Sequence, residues 1–99
     1  MNNYFFSKLS NTNRRMALHQ GDANRRLAYQ ANDILAQSHT TFVPKKYKKE
    51  FTKFISLIDA TVADAEGRVP IRIKGIQNRT AVKYIKLLRE IEEYLEEKL

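Results

Sequence analysis

The positions of glycine and proline constrain this fold more than any other feature of the sequence. Breaks at Gly21, at Pro44 and over residues 67–70 divide the 99 residues into segments of helical length. Glycine and proline interrupt helices, and proline is accepted mainly in the first turn, where its missing N–H would have had no partner. The breaks therefore predict short helices joined by tight connections.

Apolar residues recur at helical spacing in three of these segments. They follow the i, i+3, i+4 pattern over residues 22–37, 44–64 and 78–97. Such a stripe lies on one side of a helix and faces a core. The expected core residues are Leu27, Ile34, Leu35, Phe51, Phe54, Ile55, Ile58, Val62, Tyr84, Leu88, Ile91 and Leu95.

Polar residues near the starts of these helices are typical of N-caps. Asp22 can accept a hydrogen bond from a free N–H group of the first turn, and its charge suits the positive end of the helix dipole. Asn78 or Thr80 would serve the last helix in the same way, and Thr41 precedes the helix that begins at Pro44. The caps therefore agree with the helix starts that the breaks predict.

Two segments lack a clear helical pattern. Residues 1–20 are mostly polar and contain turn-forming Asn, Ser and Thr, so we expect a loose N-terminal arm beside a bundle of residues 21–99. Residues 69–76 alternate as a strand would, but a lone strand has no partner and Pro70 cannot donate to a ladder, so a short helix is favoured. The predicted fold is an all-α, antiparallel four-helix bundle with helices near 22–37, 44–64, 69–76 and 78–97.

The bulk composition indicates one globular domain, residues 1–99. The chain is 42% hydrophobic and 29% charged, which separates it from disordered sequences. It contains no cysteine, which suits a reducing cytosol. No apolar run approaches the roughly 20 residues that span a bilayer, and the first residues lack the pattern of a signal peptide. We expect a cytoplasmic protein.

Positive charge is concentrated in the first half of the chain. Residues 1–50 contain nine basic and three acidic residues, a net charge of +6, whereas residues 51–99 contain nine basic and eight acidic residues, a net charge of +1. The excess indicates an anionic partner (nucleic acid, acidic lipid or an acidic protein) or serves solubility alone. The candidate partner-binding residues are Arg25, Arg26, Lys45, Lys46, Lys48, Lys49, Arg72, Lys74 and Arg89.

No residue pattern is typical of an enzyme, a cofactor site or a metal site. His19 and His39 are twenty residues apart and have no thiol beside them. No serine lies in a glycine elbow, and the three glycines are too far apart for a phosphate-binding loop. The glutamates of the last helix face solvent on a helical wheel, whereas a general acid needs a buried setting. We expect a binding protein with no catalytic residues, cofactor or metal.

Two short motifs resemble the immunity proteins for pediocin-like (class IIa) bacteriocins. The first is GDANRRL at residues 21–27, which opens a helix with an arginine doublet, and the second is EGRVPIRI at residues 66–73. The similarity extends from residue 21 to about residue 95, and the basic character and four-helix pattern agree with it. The chain departs from the family by its long N-terminal arm and by ending inside its last helix.

The resemblance implies a left-handed four-helix bundle that acts in the cytoplasm of a bacteriocin producer, peripherally at the inner membrane face. It would bind a membrane permease of the mannose phosphotransferase type with bound bacteriocin and block the pore, while anionic lipid attracts its basic side chains. Residues 69–99 would determine specificity. The alternative is a small basic nucleic-acid-binding regulator of phage or plasmid type, which is less favoured because the aromatic residues lie on the core stripe.

Overall fold

The structure, a computed structural model, describes residues 3–37 and 43–98. These residues form five α-helices and no strand, which confirms the all-α prediction. A short 3₁₀ turn, Lys45–Tyr47, leads into the fourth helix. The helices are α1 (Asn3–Leu18), α2 (Ala23–Tyr29), α3 (Ala31–Ala36), α4 (Lys48–Ala65) and α5 (Asn78–Glu97).

Helices α2 and α3 together form one of four rods. Gln30 separates them, because it ends α2 and its carbonyl accepts the first hydrogen bond of α3, from the N–H of Ile34 at 2.9 Å. The four rods are therefore α1, α2–α3, α4 and α5. The predicted helix over residues 22–37 is correct in extent and differs only by this interruption.

Contacts along the rods show that α1 runs antiparallel to α3 and that α4 runs antiparallel to α5. Between α1 and α3, Thr12 accepts from Gln37 at 2.9 Å, whereas Arg15, further along α1, pairs with the earlier residue Asp33. Between the start of α4 and α5, the ring of Tyr47 lies 6.1 Å from that of Tyr94. Further along α4, Phe54 packs at 4.7 Å against Tyr84. These pairings confirm the predicted antiparallel four-helix bundle.

Helix α1 replaces the expected loose N-terminal arm. Phe5, Leu9, Thr12 and Met16 recur at helical spacing, and all four are buried in the core. Asn, Ser and Thr weaken an isolated helix because their side chains compete for backbone hydrogen bonds. Tertiary packing supplies most of the stability of a protein helix, and here it outweighs that local preference. The expectation of an arm was therefore wrong.

The connection from α4 to α5 is neither the predicted helix nor a strand. Residues 69–76 form bends and turns in which Pro70 and Ile73 are buried and Val69 and Ile71 are exposed. The N–H of Ile73 donates to the Asn24 side chain rather than to a carbonyl one helical turn earlier. A side chain from α2 thus satisfies the backbone group that a helix would have used, and the fourth helix of the bundle is α1.

The predicted core is largely correct. Nine of its twelve residues are buried, while Leu35, Ile55 and Val62 are half-buried and pack at its edge. Sequence reasoning missed several core residues on α1, on α2–α3, on α5 and in the connections. These are Phe5, Leu9, Met16, Ala28, Ala31, Val43, Ile73 and Ala81.

One predicted cap is confirmed and another is wrong. The Asp22 carboxylate accepts a hydrogen bond from the N–H of Arg25 at 2.9 Å, as an N-cap does. Gln77, rather than Asn78 or Thr80, occupies the N-cap position of α5, and its side chain makes no capping hydrogen bond. Asn78 instead accepts from the backbone N–H of Asn24 at 3.0 Å. Thr41 lies outside the described residues.

Glu66 ends α4 in the left-handed conformation, with φ of +50°, and Gly67 follows with φ of +85°. A residue with a Cβ is disfavoured there by about 1–2 kcal/mol, whereas glycine is not. We expect Glu66→Gly to raise the free energy of unfolding by about 0.5–1 kcal/mol, since the more flexible unfolded chain offsets part of the gain. Urea denaturation measures this change. The matched control, Ala65→Gly inside the helix, should be destabilising, and the same sign for both variants would contradict the prediction.

Candidate functional site

The predicted binding residues do not form one surface. Arg25 and Arg26 lie at the start of α2, which packs beside the start of α5 through the hydrogen bond from Asn24 to Asn78. Lys45, Lys46, Lys48 and Lys49 lie at the start of α4, which packs beside the end of α5 at Tyr94. These two positions on α5 are sixteen residues apart, or about 24 Å at 1.5 Å per residue. The two groups therefore lie at opposite ends of the bundle.

The lysine end of the bundle comprises Lys45, Lys46, Lys48, Lys49 and Lys98. The Lys46 Nζ lies 5.0 Å from the ring centroid of Tyr47 and 4.9 Å from that of Tyr94. Lys98 lies over the same Tyr94 ring at 5.2 Å. These cation–π contacts fix two of the lysines in place. Three glutamates of the last turns of α5, Glu93, Glu96 and Glu97, share this end and offset much of its positive charge.

The arginine end of the bundle comprises Arg25, Arg26, Arg68, Arg72, Lys74 and Arg79. Two of its side chains are paired, because Arg72 lies 3.5 Å from the Asp22 carboxylate and Lys74 pairs with Asp64. Arg26 donates to the Gly21 carbonyl at 2.7 Å. In the described part of the chain, the other three arginines form no ion pair with a carboxylate. The sequence identified four of these six residues and missed Arg68 and Arg79.

Aliphatic side chains are exposed among these cations. Val69 is 57% exposed and Ile71 is 71% exposed, and they stand in the connection beside the end of α4. A surface groove of about 520 Å³ runs here, with Thr61 and Ala65 of α4 in its wall. Leu18, at the end of α1, is 76% exposed at the same end of the molecule. The alternation of residues 69–73 did not predict burial, because Ile73 is buried whereas Val69 and Ile71 are exposed.

A fully buried asparagine holds this connection against the bundle. The Asn24 Oδ1 accepts from the N–H of Ile73 at 2.6 Å, and its Nδ2 donates to the carbonyls of Ile73 and Ile76 at 3.1 and 3.3 Å. With the backbone bond to Asn78, one residue of α2 fixes residues 73–78. Buried amides of this kind specify a single conformation because every alternative leaves a polar group unpaired. Val69 and Ile71 are thus presented by an anchored segment.

Arg89 lies away from both ends. It shares a groove of about 270 Å³ with Arg26, and Met16, Ala17 and Ile85 line the floor. This groove brings a predicted binding residue of α2 beside one of α5. Close by, the buried Asn13 donates to the Glu92 carboxylate at 2.7 Å. Glu92 therefore places a negative charge near the two arginines.

A further groove of about 420 Å³ separates α4 from α5. Its lining includes Lys53, Lys83 and Lys86 together with Glu50 and Glu90, so both signs of charge are present. Burial raises the pKa of the Tyr84 hydroxyl, and the charge of Glu50 acts in the same direction. The mixed charge makes this groove a weaker candidate for an anionic partner than the arginine end.

The pH dependence of the free energy of unfolding tests the contacts that Asp22 makes at the arginine end. The hydrogen bond from the Arg25 N–H, followed by the charge of Arg72, holds the pKa of Asp22 below its ordinary value of 3.8. Because the folded-state pKa is depressed, Asp22 stabilises the fold above about pH 4, and this contribution is lost as the pH falls through the folded-state pKa. We expect the stability difference between wild type and Asp22→Asn to narrow on acidification from about pH 5 to pH 2.

Urea unfolding at a series of pH values measures this difference. Asp59→Asn, at an exposed position of α4 with no ion pair in the described residues, is the matched control. A difference between wild type and Asp22→Asn that stays constant over the whole pH range would contradict the prediction.

His19 makes local contacts with the connection from α1 to α2 and with α2. The His19 Nδ1 accepts from the N–H of Gly21 at 3.1 Å, and its ring lies 4.8 Å from that of Tyr29. His39 lies outside the described residues. Across residues 3–37 and 43–98, no three His, Cys, Asp or Glu side chains gather in a way that could hold a metal ion. Nor does any helix of these two stretches combine the length and apolarity that crossing a membrane requires.

Comparisons with known proteins do not indicate a function for this chain. No protein-family model, curated protein or solved structure matches this chain. The arginine end offers aliphatic side chains among six cations, of which Arg72 and Lys74 are in ion pairs, and the lysine end offers cations that glutamates and tyrosines largely offset. Of the two ends, the arginine end is the stronger candidate for a partner-binding surface.

Proposed function

We propose that this protein is a bacteriocin immunity protein of the pediocin-like type, which acts by binding and not by catalysis. It would work in the cytoplasm, peripherally at the inner membrane face, on a permease of the mannose phosphotransferase type with bound bacteriocin. The observation that carries the proposal is the anchored, exposed pair Val69 and Ile71 at the arginine end. This pair lies inside the second motif of the family resemblance, EGRVPIRI.

The chemistry of this surface favours a folded or membrane-bound partner over nucleic acid. Exposed aliphatic side chains gain from contact with apolar surface, whereas single-stranded nucleic acids are bound by stacking on aromatic rings. The aromatic residues of α4 and of the 3₁₀ turn before it already have partners, because Phe51 and Phe54 are buried in the core and Tyr47 packs on Tyr94. Cations attract any anionic partner, but shaped apolar contacts distinguish between similar partners.

The test is protection of a sensitive cell. The full chain is expressed in a bacteriocin-sensitive strain, and survival is measured against a panel of pediocin-like bacteriocins. We expect protection against at least one, and a loss of about tenfold or more for Val69→Ser/Ile71→Ser, since each lost apolar contact at the centre of an interface costs on the order of 1–2 kcal/mol. Tyr4→Ser, which alters a side chain 68% exposed at the lysine end, is the matched control and should protect fully.

Two outcomes would overturn this function. If the wild-type protein accumulates in folded form and protects against none of the bacteriocins, it is not an immunity protein of this type. Tight binding to random duplex DNA at physiological salt, with the steep salt dependence of phosphate contacts, would instead establish the nucleic-acid-binding alternative.

A further inference from the structure

The charge of this protein is divided along the bundle axis as well as between the two halves of the sequence. Because Asn13 contacts Leu88 and Phe54 contacts Tyr84, residues 13–33 and 51–87 lie in the half of the bundle that contains the arginine end. That half has eleven basic and five acidic side chains, a net charge of +6. The remaining described residues form the other half, which has seven basic and six acidic side chains, a net charge of +1. The more basic half is thus the one that exposes Val69 and Ile71.

The exposed apolar side chains and the positive charge lie at the same end of the bundle. At this end Leu18 is exposed on the last turn of α1, Val69 and Ile71 are exposed on the connection from α4 to α5, and Val82 is exposed on the first turns of α5. The 20-residue helix α5 also begins here, without a side-chain cap. Its positive dipole end adds to the field of the arginines.

We propose that the arginine end seats on an anionic lipid bilayer, with the bundle axis close to the membrane normal. Arginines pair with headgroup phosphates, and aliphatic side chains at the same level enter the boundary between headgroups and acyl chains. A duplex nucleic acid would satisfy the charge but offers the aliphatic side chains no apolar layer. An acidic protein surface would attract these cations as well, and co-sedimentation with lipid vesicles distinguishes such a surface from a bilayer.

The anchoring of the connection favours this role. Pro70 and Ile73 are buried and Asn24 holds the backbone at Ile73, which lowers the backbone ordering cost of binding through Val69 and Ile71. The inference rests on the proposed function, because it identifies the lipid surface beside which the permease would be met. The test of lipid binding uses neither the permease nor the bacteriocin. The lipid inference and the proposed immunity function can therefore be refuted separately.

The test is co-sedimentation of the full chain with lipid vesicles. We expect binding to phosphatidylcholine vesicles that contain about 30% phosphatidylglycerol and little binding to phosphatidylcholine alone, with a decrease as salt rises. Arg68→Gln/Arg79→Gln should lower the partition coefficient by about 30-fold, which corresponds to about 1 kcal/mol for each basic side chain. Val69→Ser/Ile71→Ser should lower it by about tenfold or more.

Matched variants at the lysine end complete the design. Lys48→Gln/Lys49→Gln removes the same charge, and Tyr4→Ser removes an exposed apolar side chain, so both should keep most of the binding. Equal losses from the variants of the two ends would overturn the end-on assignment. Equal binding to both vesicle compositions, or no binding to either, would overturn the lipid surface. Protection of cells without any vesicle binding would then point to a protein surface as the direct contact of the arginine end.

Discussion

Replacing Asn24 with alanine is expected to lower the free energy of unfolding by about 3–4 kcal/mol. The substitution leaves the N–H of Ile73 and the carbonyls of Ile73 and Ile76 without their partner. An unsatisfied buried polar group costs about 1–3 kcal/mol, although some of these groups will reach water when the connection loosens. Urea denaturation of the full chain measures the loss.

The matched control for this prediction is Asn32→Ala. Asn32 is an exposed asparagine of α3, so its replacement should change stability by less than about 0.5 kcal/mol. Hydrogen exchange adds a second measurement, because the N–H of Ile73 should lose its protection in Asn24→Ala before the amides of α4 do. Similar stabilities of the two variants would show that Asn24 does not anchor the connection.

Phe54→Ala is expected to cost about 3–5 kcal/mol, because a large cavity would open at the centre of the core. Phe54 is 0% exposed and packs against Tyr84 at 4.7 Å and Phe51 at 6.4 Å between ring centroids. Thermal or urea unfolding measures the change. Val82→Ala, at a half-exposed position of α5, should cost less than about 1 kcal/mol. A loss below about 2 kcal/mol for Phe54→Ala would mean that the core collapses into the space.

The sequence predicted those elements whose stability is visible locally. Helix α5 has an uninterrupted apolar stripe, and its predicted bounds of 78–97 agree with the structure. Helix α1 escaped prediction because its stripe contains the polar Thr12 and is flanked by residues that favour turns. The burial of Thr12 depends on partners far along the chain, such as Gln37. No local pattern contains that information.

The candidate site was predicted in its residues but not in its arrangement. The arginines of α2 and the lysines of α4 looked like one basic face because both lie in the first half of the chain, yet antiparallel packing separates them. Asn24 appeared in the sequence only as part of a motif that marks a helix start. Its role as the anchor of residues 73–78 follows from the approach of α2 to α5, which only the three-dimensional structure gives.

The unequal charge of the two halves also influences how this protein is oriented as it approaches a charged surface. The molecule is 35 Å long and 24 by 23 Å across, so the excess charge of one half lies well away from its centre. A negatively charged surface exerts a torque on such a particle within about one Debye length, roughly 8 Å at physiological salt. Rotational diffusion is then biased, and a larger share of collisions begins with the arginine end in front. Exchanging charges between the two ends, at constant net charge, should therefore slow association more than it speeds dissociation.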